Sequence, residues 1–145
     1  MPYLKAVFKE TLRLHTPLPL LIPRESIKDI KLNGYDIQSG TQVLINAWAI
    51  ARDPSIWEEP EEFKPERFLK SPVDYKGFHF ESIPFDVDDV GVLVFNFQWL
   101  LLVLANLVYK FDLASVGEEG LDMSETNGLT VHKKCPILVS ATPCT

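Results

Sequence analysis

Pro2-Tyr3-Leu4-Lys5-Ala6-Val7-Phe8-Lys9-Glu10-Thr11-Leu12-Arg13-Leu14 is the stretch on which the fold turns. Pro2 suits a first helical position. Leu4, Val7, Phe8, Thr11, Leu12 and Leu14 repeat at a mostly helical period. Pro17 and Pro19 end the pattern, so a helix is predicted over 2–14. Glu10 and Arg13 are three residues apart and share one side of it. Alone, such a pair is usually solvated and contributes a few tenths of a kcal/mol. Its setting matters more, because a second arginine follows in Pro65-Glu66-Arg67-Phe68.

Outward from that helix, the proline-rich run 16–24 is predicted to be extended, because residues before proline avoid the helical region. Short β segments and turns follow over 25–46. Asn33-Gly34 is a two-residue hairpin signal and Ser39-Gly40 a second turn. Val43 to Trp48 reads as a buried strand. Asp53-Pro54 can cap a short helix over 54–58. Residues 59–85 read as a long loop, whose aromatics Phe63, Phe68, Tyr75, Phe78, Phe80 and Phe85 favour packing. The run 90–109 is the most apolar part. Its second half, Leu100 to Lys110, is a good helix, whereas its β-branched and aromatic first half also fits a strand. An acidic loop follows Phe111-Asp112. Residues 126–129 read as a turn, and 130–132 with 137–141 as a closing β pair.

Glu10-Thr11-Leu12-Arg13, Ile22-Pro23-Arg24-Glu25, Asn46 to Pro54, Pro65-Glu66-Arg67-Phe68 and Ile83-Pro84-Phe85 occur in that order. Together they resemble the C-terminal third of a plant A-type cytochrome P-450, a haem-thiolate monooxygenase. The resemblance implies an α+β fold of a mainly α family. Its parts are a K-type helix, a small β sheet, a meander loop, a late L-type helix and a closing β hairpin. It makes residues 1–145 a partial cytochrome P-450 domain. It assigns Glu10, Arg13 and Arg67 to a buried structural triad, where a third partner makes burial of charge tolerable. It matches Arg24 to a haem-propionate donor, for which a guanidinium fork is suited. It places Leu18, Leu20, Leu21 and Leu129 in substrate-pocket walls. Without the resemblance these are surface, core and turn residues. It further implies haem, an NADPH-dependent reductase and a small lipophilic substrate as partners, at the cytosolic face of the endoplasmic reticulum membrane. The abrupt helical start is that expected of the middle of a longer protein. The remaining two-thirds, with the oxygen-activating helix and the N-terminal anchor, are expected outside this sequence.

In that family the Pro-Phe pair opens a Gly- and Arg-rich loop, Phe-x-x-Gly-x-Arg-x-Cys-x-Gly, whose cysteine binds the iron. Here Phe85 is followed by Asp86-Val87-Asp88-Asp89-Val90-Gly91. Residues 86–101 therefore form an aberrant segment in place of the haem-binding loop. Family-like text resumes near Leu102. Permitted codons for Phe85 to Gln98 exist that, with one G inserted after the Phe85 codon, read Phe-Gly-Cys-Gly-Arg-Arg-Trp-Cys-Pro-Gly-Ile-Gln-Phe-Pro. The origin expected for the replacement is a one-base loss near codon 86, compensated near codons 99 to 101. Asp86, Asp88 and Asp89 cannot supply the soft ligand that sets haem-thiolate chemistry. No catalytic residue and no metal ligand is assigned.

The only two cysteines, Cys135 and Cys144, lie in the last eleven residues and make no disulfide framework. Neither precedes a helix in a Gly-rich loop, and Cys135 is expected in an edge strand. His132-x-x-Cys135 has a metal-like spacing but no second pair. His15 and His79 belong to no motif. A net charge of −6 argues against nucleic-acid binding, because no basic surplus exists to neutralise phosphates. A hydrophobic content of 46% fits a globular chain of one domain at most. No basic n-region and apolar h-region open the sequence, so no signal peptide is expected at its start. The functional readings are a monooxygenase lineage inactive in this chain, a non-enzymatic interaction fragment, or a small membrane-associated protein using 90–109. Against the last stand Asn96, Gln98 and Asn106.

Overall fold

The computed structural model describes residues 1–73, 79–83, 90–116, 121–126 and 128–144, with backbone alone over 90–98. Helix α1 spans Pro2–Leu14 with proline in its first turn and Arg13 in its last, where a cation complements the helix dipole. His15 closes it, its N–H donating to the Thr11 carbonyl at 2.8 Å. The buried stripe differs from the apolar period. Thr11 is exposed and its hydroxyl donates back to the Val7 carbonyl at 2.9 Å. Ala6, Phe8, Glu10, Leu12 and Arg13 are buried instead. The helix thus has two packed faces. Ala6 joins Trp57, Phe68 and Val73, while Phe8 and Leu12 join Leu18 and Leu101.

The run 16–24 is not extended throughout. Leu18 accepts a hydrogen bond from the Leu21 amide at 3.2 Å, and Leu21 adopts φ 53°. Pro19 presets the second position of this turn, so the proline starts a reversal rather than prolonging a strand. Strand β1 (Arg24–Glu25) then pairs antiparallel with β4 (Gln42–Val43). Between them β2 (Ile30–Leu32) and β3 (Tyr35–Ile37) form the predicted hairpin, with Asn33 at φ 49° and Gly34 at φ 88°. Both values are those of a type I′ turn. Gly40, at φ 82°, makes the second predicted turn.

The strand expected over 43–48 stops at Val43. Asn46 caps a short helix α2 (Ala47–Ile50), its side chain accepting from the Ala49 amide at 3.0 Å. The helix expected over 54–58 is a single turn, in which the Trp57 amide donates to the Asp53 carbonyl at 2.8 Å. The Asp53 carboxylate takes the Ser55 amide and hydroxyl at 2.8 and 2.6 Å and ends propagation there. The long loop contains a 3₁₀ turn, Pro65–Phe68, packed on α1. Of its aromatics Phe68 is buried, whereas Phe63 and Phe80 are exposed. Tyr75, Phe78 and Phe85 lie outside the described residues.

Helix α3 runs from Val90 to Lys110 over 21 residues, so the first half that also fitted a strand is helical. Continuity with the strong helix former Leu100–Lys110 overrides its β propensity. Of the segment 86–101, residues 86–89 lie outside the described residues and 90–101 belong to α3. Strand β5 (Phe111–Ser115) follows where an acidic loop was expected, and pairs with β8 (Val139–Pro143). Strand β6 (Glu125–Thr126) pairs with β7 (His132–Lys133). The expected pairing of 130–132 with 137–141 does not form. A bend at Lys134–Cys135 followed by Pro136 breaks continuation, which also removes Cys135 from any strand. The predicted turn at 126–129 includes Asn127, outside the described residues, followed by a bend at Gly128 to Thr130. Among the described residues no helix is long and apolar enough to cross a membrane, the side chains of 90–98 being outside that statement.

Candidate functional site: a buried ion cluster

Glu10 and Arg13 are the two largest fully buried side chains among the described residues. Helical spacing puts them on one face, and the loop after α2 closes over that face. Arg13 grips Glu10 bidentately, with Nε to Oε2 and Nη2 to Oε1 both at 2.8 Å. This fork geometry matches a carboxylate and is unavailable to lysine. Arg67 reaches the same Oε1 through Nε at 3.2 Å. The Lys64 amide donates to it as well, at 2.8 Å. The three residues predicted to associate therefore meet around one carboxylate.

The spare guanidinium hydrogens find backbone carbonyls. Arg13 Nη1 donates to Ala51 and Pro60 at 2.7 Å each, and Nη2 to Glu62 at 3.1 Å. Arg67 donates to Glu58 at 2.7 Å, Glu59 at 3.2 Å and Glu62 at 3.3 Å. Sequence reasoning missed these partners, because a carbonyl acceptor carries no residue identity. Burial pushes the Glu10 carboxyl upward most strongly of all influences on it. The Arg13 hydrogen bonds, the Lys64 amide and the charges of Arg13 and Arg67 together outweigh burial, so its pKa falls below the ordinary carboxylate value. The cluster is charged, and both oxygens of its carboxylate are paired. It contains no nucleophile, so its chemistry is that of a clamp joining α1 to the loop 51–67.

The other predicted site residues share no single environment. Arg24 lies exposed in β1. Leu18 packs on Phe8 and Leu12, and Leu21 is buried. Leu20 and Leu129 are exposed. The β6–β7 hairpin is nevertheless tied beside that segment, through the Val131 amide on the Pro17 carbonyl at 2.9 Å. A second tie joins His15 Nδ1 and Glu125 Oε1 at 2.5 Å, giving His15 a partner 110 positions away that no motif signalled.

The donors needed for a haem thiolate are absent. No cysteine precedes Cys135 anywhere in the sequence. Cys135 and Cys144 are exposed and free. Partial desolvation, the Asp112 charge and a hydrogen bond to Asp112 push the Cys144 thiol up, which disfavours the thiolate an iron requires. Among the described residues no three His, Cys, Asp or Glu side chains gather as a metal site. The residues present do not fit a haem-thiolate centre.

A family model described as Cytochrome P450 matches residues 1–87. A protein named Cytochrome P450 Tp4149, from Tanacetum parthenium, is 56% identical over 148 aligned positions, spanning 99% of this chain and 30% of the relative. A psoralen synthase of Ammi majus and a (+)-menthofuran synthase of Mentha piperita are each 55% identical over the same shares. This chain thus spans about a third of the length of these curated relatives. Among solved structures, a zebra fish cytochrome P450 with abiraterone superimposes at a TM-score of 0.79 with 32% identity, over 99% of this chain and 33% of that one.

Proposed function

Because this chain belongs to the cytochrome P450 family, we propose that it carries the C-terminal scaffold of a plant haem monooxygenase without the ligand that gives that scaffold its activity. The mixed helix and small-sheet architecture is the expected partial P450 fold. The lineage is that of haem enzymes acting on lipophilic metabolites with electrons from an NADPH-dependent reductase. Relatives named for psoralen and (+)-menthofuran support that substrate class. A location at the endoplasmic reticulum follows from the family alone.

One observation carries the inactive reading. The clamp of Glu10, Arg13 and Arg67 is complete, while the chain holds no cysteine before residue 135. A scaffold with its clamp but without a thiolate donor does not perform O–O cleavage by the thiolate push. The family match ends at residue 87, beside the start of the segment 86–101, which supports replacement of the loop there. Purified chain mixed with haem is expected to give no thiolate-type band in the reduced carbon monoxide spectrum. A stable thiolate-type band overturns the reading. Coding DNA over codons 85–101 tests the frame slip. Codons that cannot be read in the shifted frame as Arg-Arg-x-Cys-Pro-Gly end it.

A second reading, an interaction fragment, is favoured by the apolar side chains that α3 leaves exposed, among them Trp99, Leu102, Val103 and Val108. Co-expression with the N-terminal two-thirds of a relative tests it. Co-purification supports it, and separate elution sinks it.

A further inference from the structure

The ion cluster has an imbalance: one carboxylate stands between two guanidiniums. Arg13 is fully buried and the Arg67 side chain is only 10% exposed, so the surplus positive charge is held away from water. Carbonyl oxygens offset part of it. The remaining neighbour common to both arginines is aromatic. The Arg13 guanidinium carbon lies 5.4 Å from the Trp57 ring centroid, and that of Arg67 lies 5.9 Å from it. Both are within the range at which the ring quadrupole attracts a cation, and desolvation strengthens the attraction.

We propose that Trp57 is a fourth, uncharged member of the cluster, a positioning residue whose ring holds the second guanidinium against the carbonyls of 58–62. The proposal rests on reading Glu10, Arg13 and Arg67 as a structural clamp, and not on any haem chemistry. The chain sets Trp57 up for this task. The turn capped by Asp53 fixes its backbone amide on the Asp53 carbonyl at 2.8 Å. Its immediate successors, Glu58 and Glu59, supply carbonyls to Arg67. Phe68, which follows Arg67 directly, packs on the Trp57 ring with centroids 5.6 Å apart and planes at 49°. Ala6 leaves room for both rings against α1. The indole Nε1 is buried without a partner among the described residues, so a hydrogen bond from the indole is not what this site selects. What remains is a large electron-rich plate beside two cations.

The competing role is apolar filling, and three substitutions separate the two. Trp57→Phe keeps a ring, Trp57→Leu keeps apolar volume without a quadrupole, and 5-fluorotryptophan placed at 57 alone keeps the shape with a weaker quadrupole. Each is combined with Arg67→Gln in a double-mutant cycle on urea unfolding of the full chain. Trp57→Leu is expected to lose a coupling to Arg67 of about fivefold in the unfolding constant, and Trp57→Phe under about twofold. The Arg13 and Arg67 side-chain proton resonances should be shifted upfield by the ring in the parent chain and in Trp57→Phe. They should return towards free-arginine positions in Trp57→Leu. If Trp57→Leu does not fold, the fluorinated ring decides, since it should weaken the Arg67 coupling with little change in packing. Equal couplings for Leu and Phe, or a fluorinated ring without effect, overturn the proposal. A Glu10→Gln chain as stable as the parent would instead discard the clamp reading itself.

Discussion

Glu10 accepts four hydrogen bonds from three residues, and every one is lost or weakened if its charge is removed. Glu10→Gln leaves two buried guanidiniums without their counter-ion, a change expected to cost about 3–5 kcal/mol. Arg13→Lys is expected to destabilise nearly as much, because an ammonium cannot reproduce the bidentate grip or reach the Ala51 and Pro60 carbonyls together. Denaturant midpoints at neutral pH check both. The same carboxyl sets a pH dependence. Its folded pKa lies below its unfolded value, so its contribution is fully present above about pH 4.3. It is lost as pH falls through the lower, folded value, because protonation then favours the unfolded chain. Acid titration of the helical signal should therefore be steeper in the parent than in Glu10→Gln below pH 4.3, and superimposable slopes would contradict this assignment. The meeting of Glu10, Arg13 and Arg67 was legible only through the family resemblance of the motifs that carry them, because an i,i+3 pair by itself reads as a solvated surface pair. Trp57, Lys64 and the His15–Glu125 contact were not legible, since each depends on where the backbone brings distant atoms.

Elements followed their local signals where those signals were stereochemical. Asn33-Gly34 demands positive φ at two positions, and the hairpin is there. Pro2 and the apolar repeat gave α1 its bounds. Some signals that were only statistical failed, although the helix read over Leu100 to Lys110 is there. The β-branched residues of Val43 to Ile45 argued for a strand, yet the Asn46 side chain captures the Ala49 amide and starts α2. Likewise β8 pairs with β5 and not with its neighbour in sequence, from which the bend at Lys134–Cys135 and Pro136 separate it. Two substitutions measure these effects. Asn46→Ala removes the α2 cap and is expected to cost about 1 kcal/mol. Gly34→Ala meets no atom within 4 Å, so any loss reports backbone strain at φ 88° alone, again about 1 kcal/mol. Thermal unfolding of each against the parent checks them. A neutral Gly34→Ala would mean that the hairpin turn relaxes away from type I′.

At the scale of the whole chain, accessible surface is the informative quantity. A folded monomer of 145 residues exposes about 7,500 Å². This chain exposes 10,415 Å², an excess of about 2,900 Å², the area of a sizeable protein interface. The excess is apolar at α3, where Trp99, Leu100, Leu102, Val103, Leu107 and Val108 are exposed while Leu101 packs on the Phe8–Leu12 cluster. An apolar helix with one face covered associates with whatever apolar surface it meets. Val103→Glu combined with Leu107→Lys places an i,i+4 ion pair on the open face, which supports the helix while making that face polar. This double variant should keep the far-ultraviolet spectrum of the parent and shift sedimentation towards the monomer. Leu101→Lys should do the opposite, losing the α1–α3 contact and lowering the unfolding midpoint, because it forces a charge into a packed position. Were the double variant to sediment as the parent does, the open face of α3 would not be the source of association, and the excess area would have to be covered elsewhere.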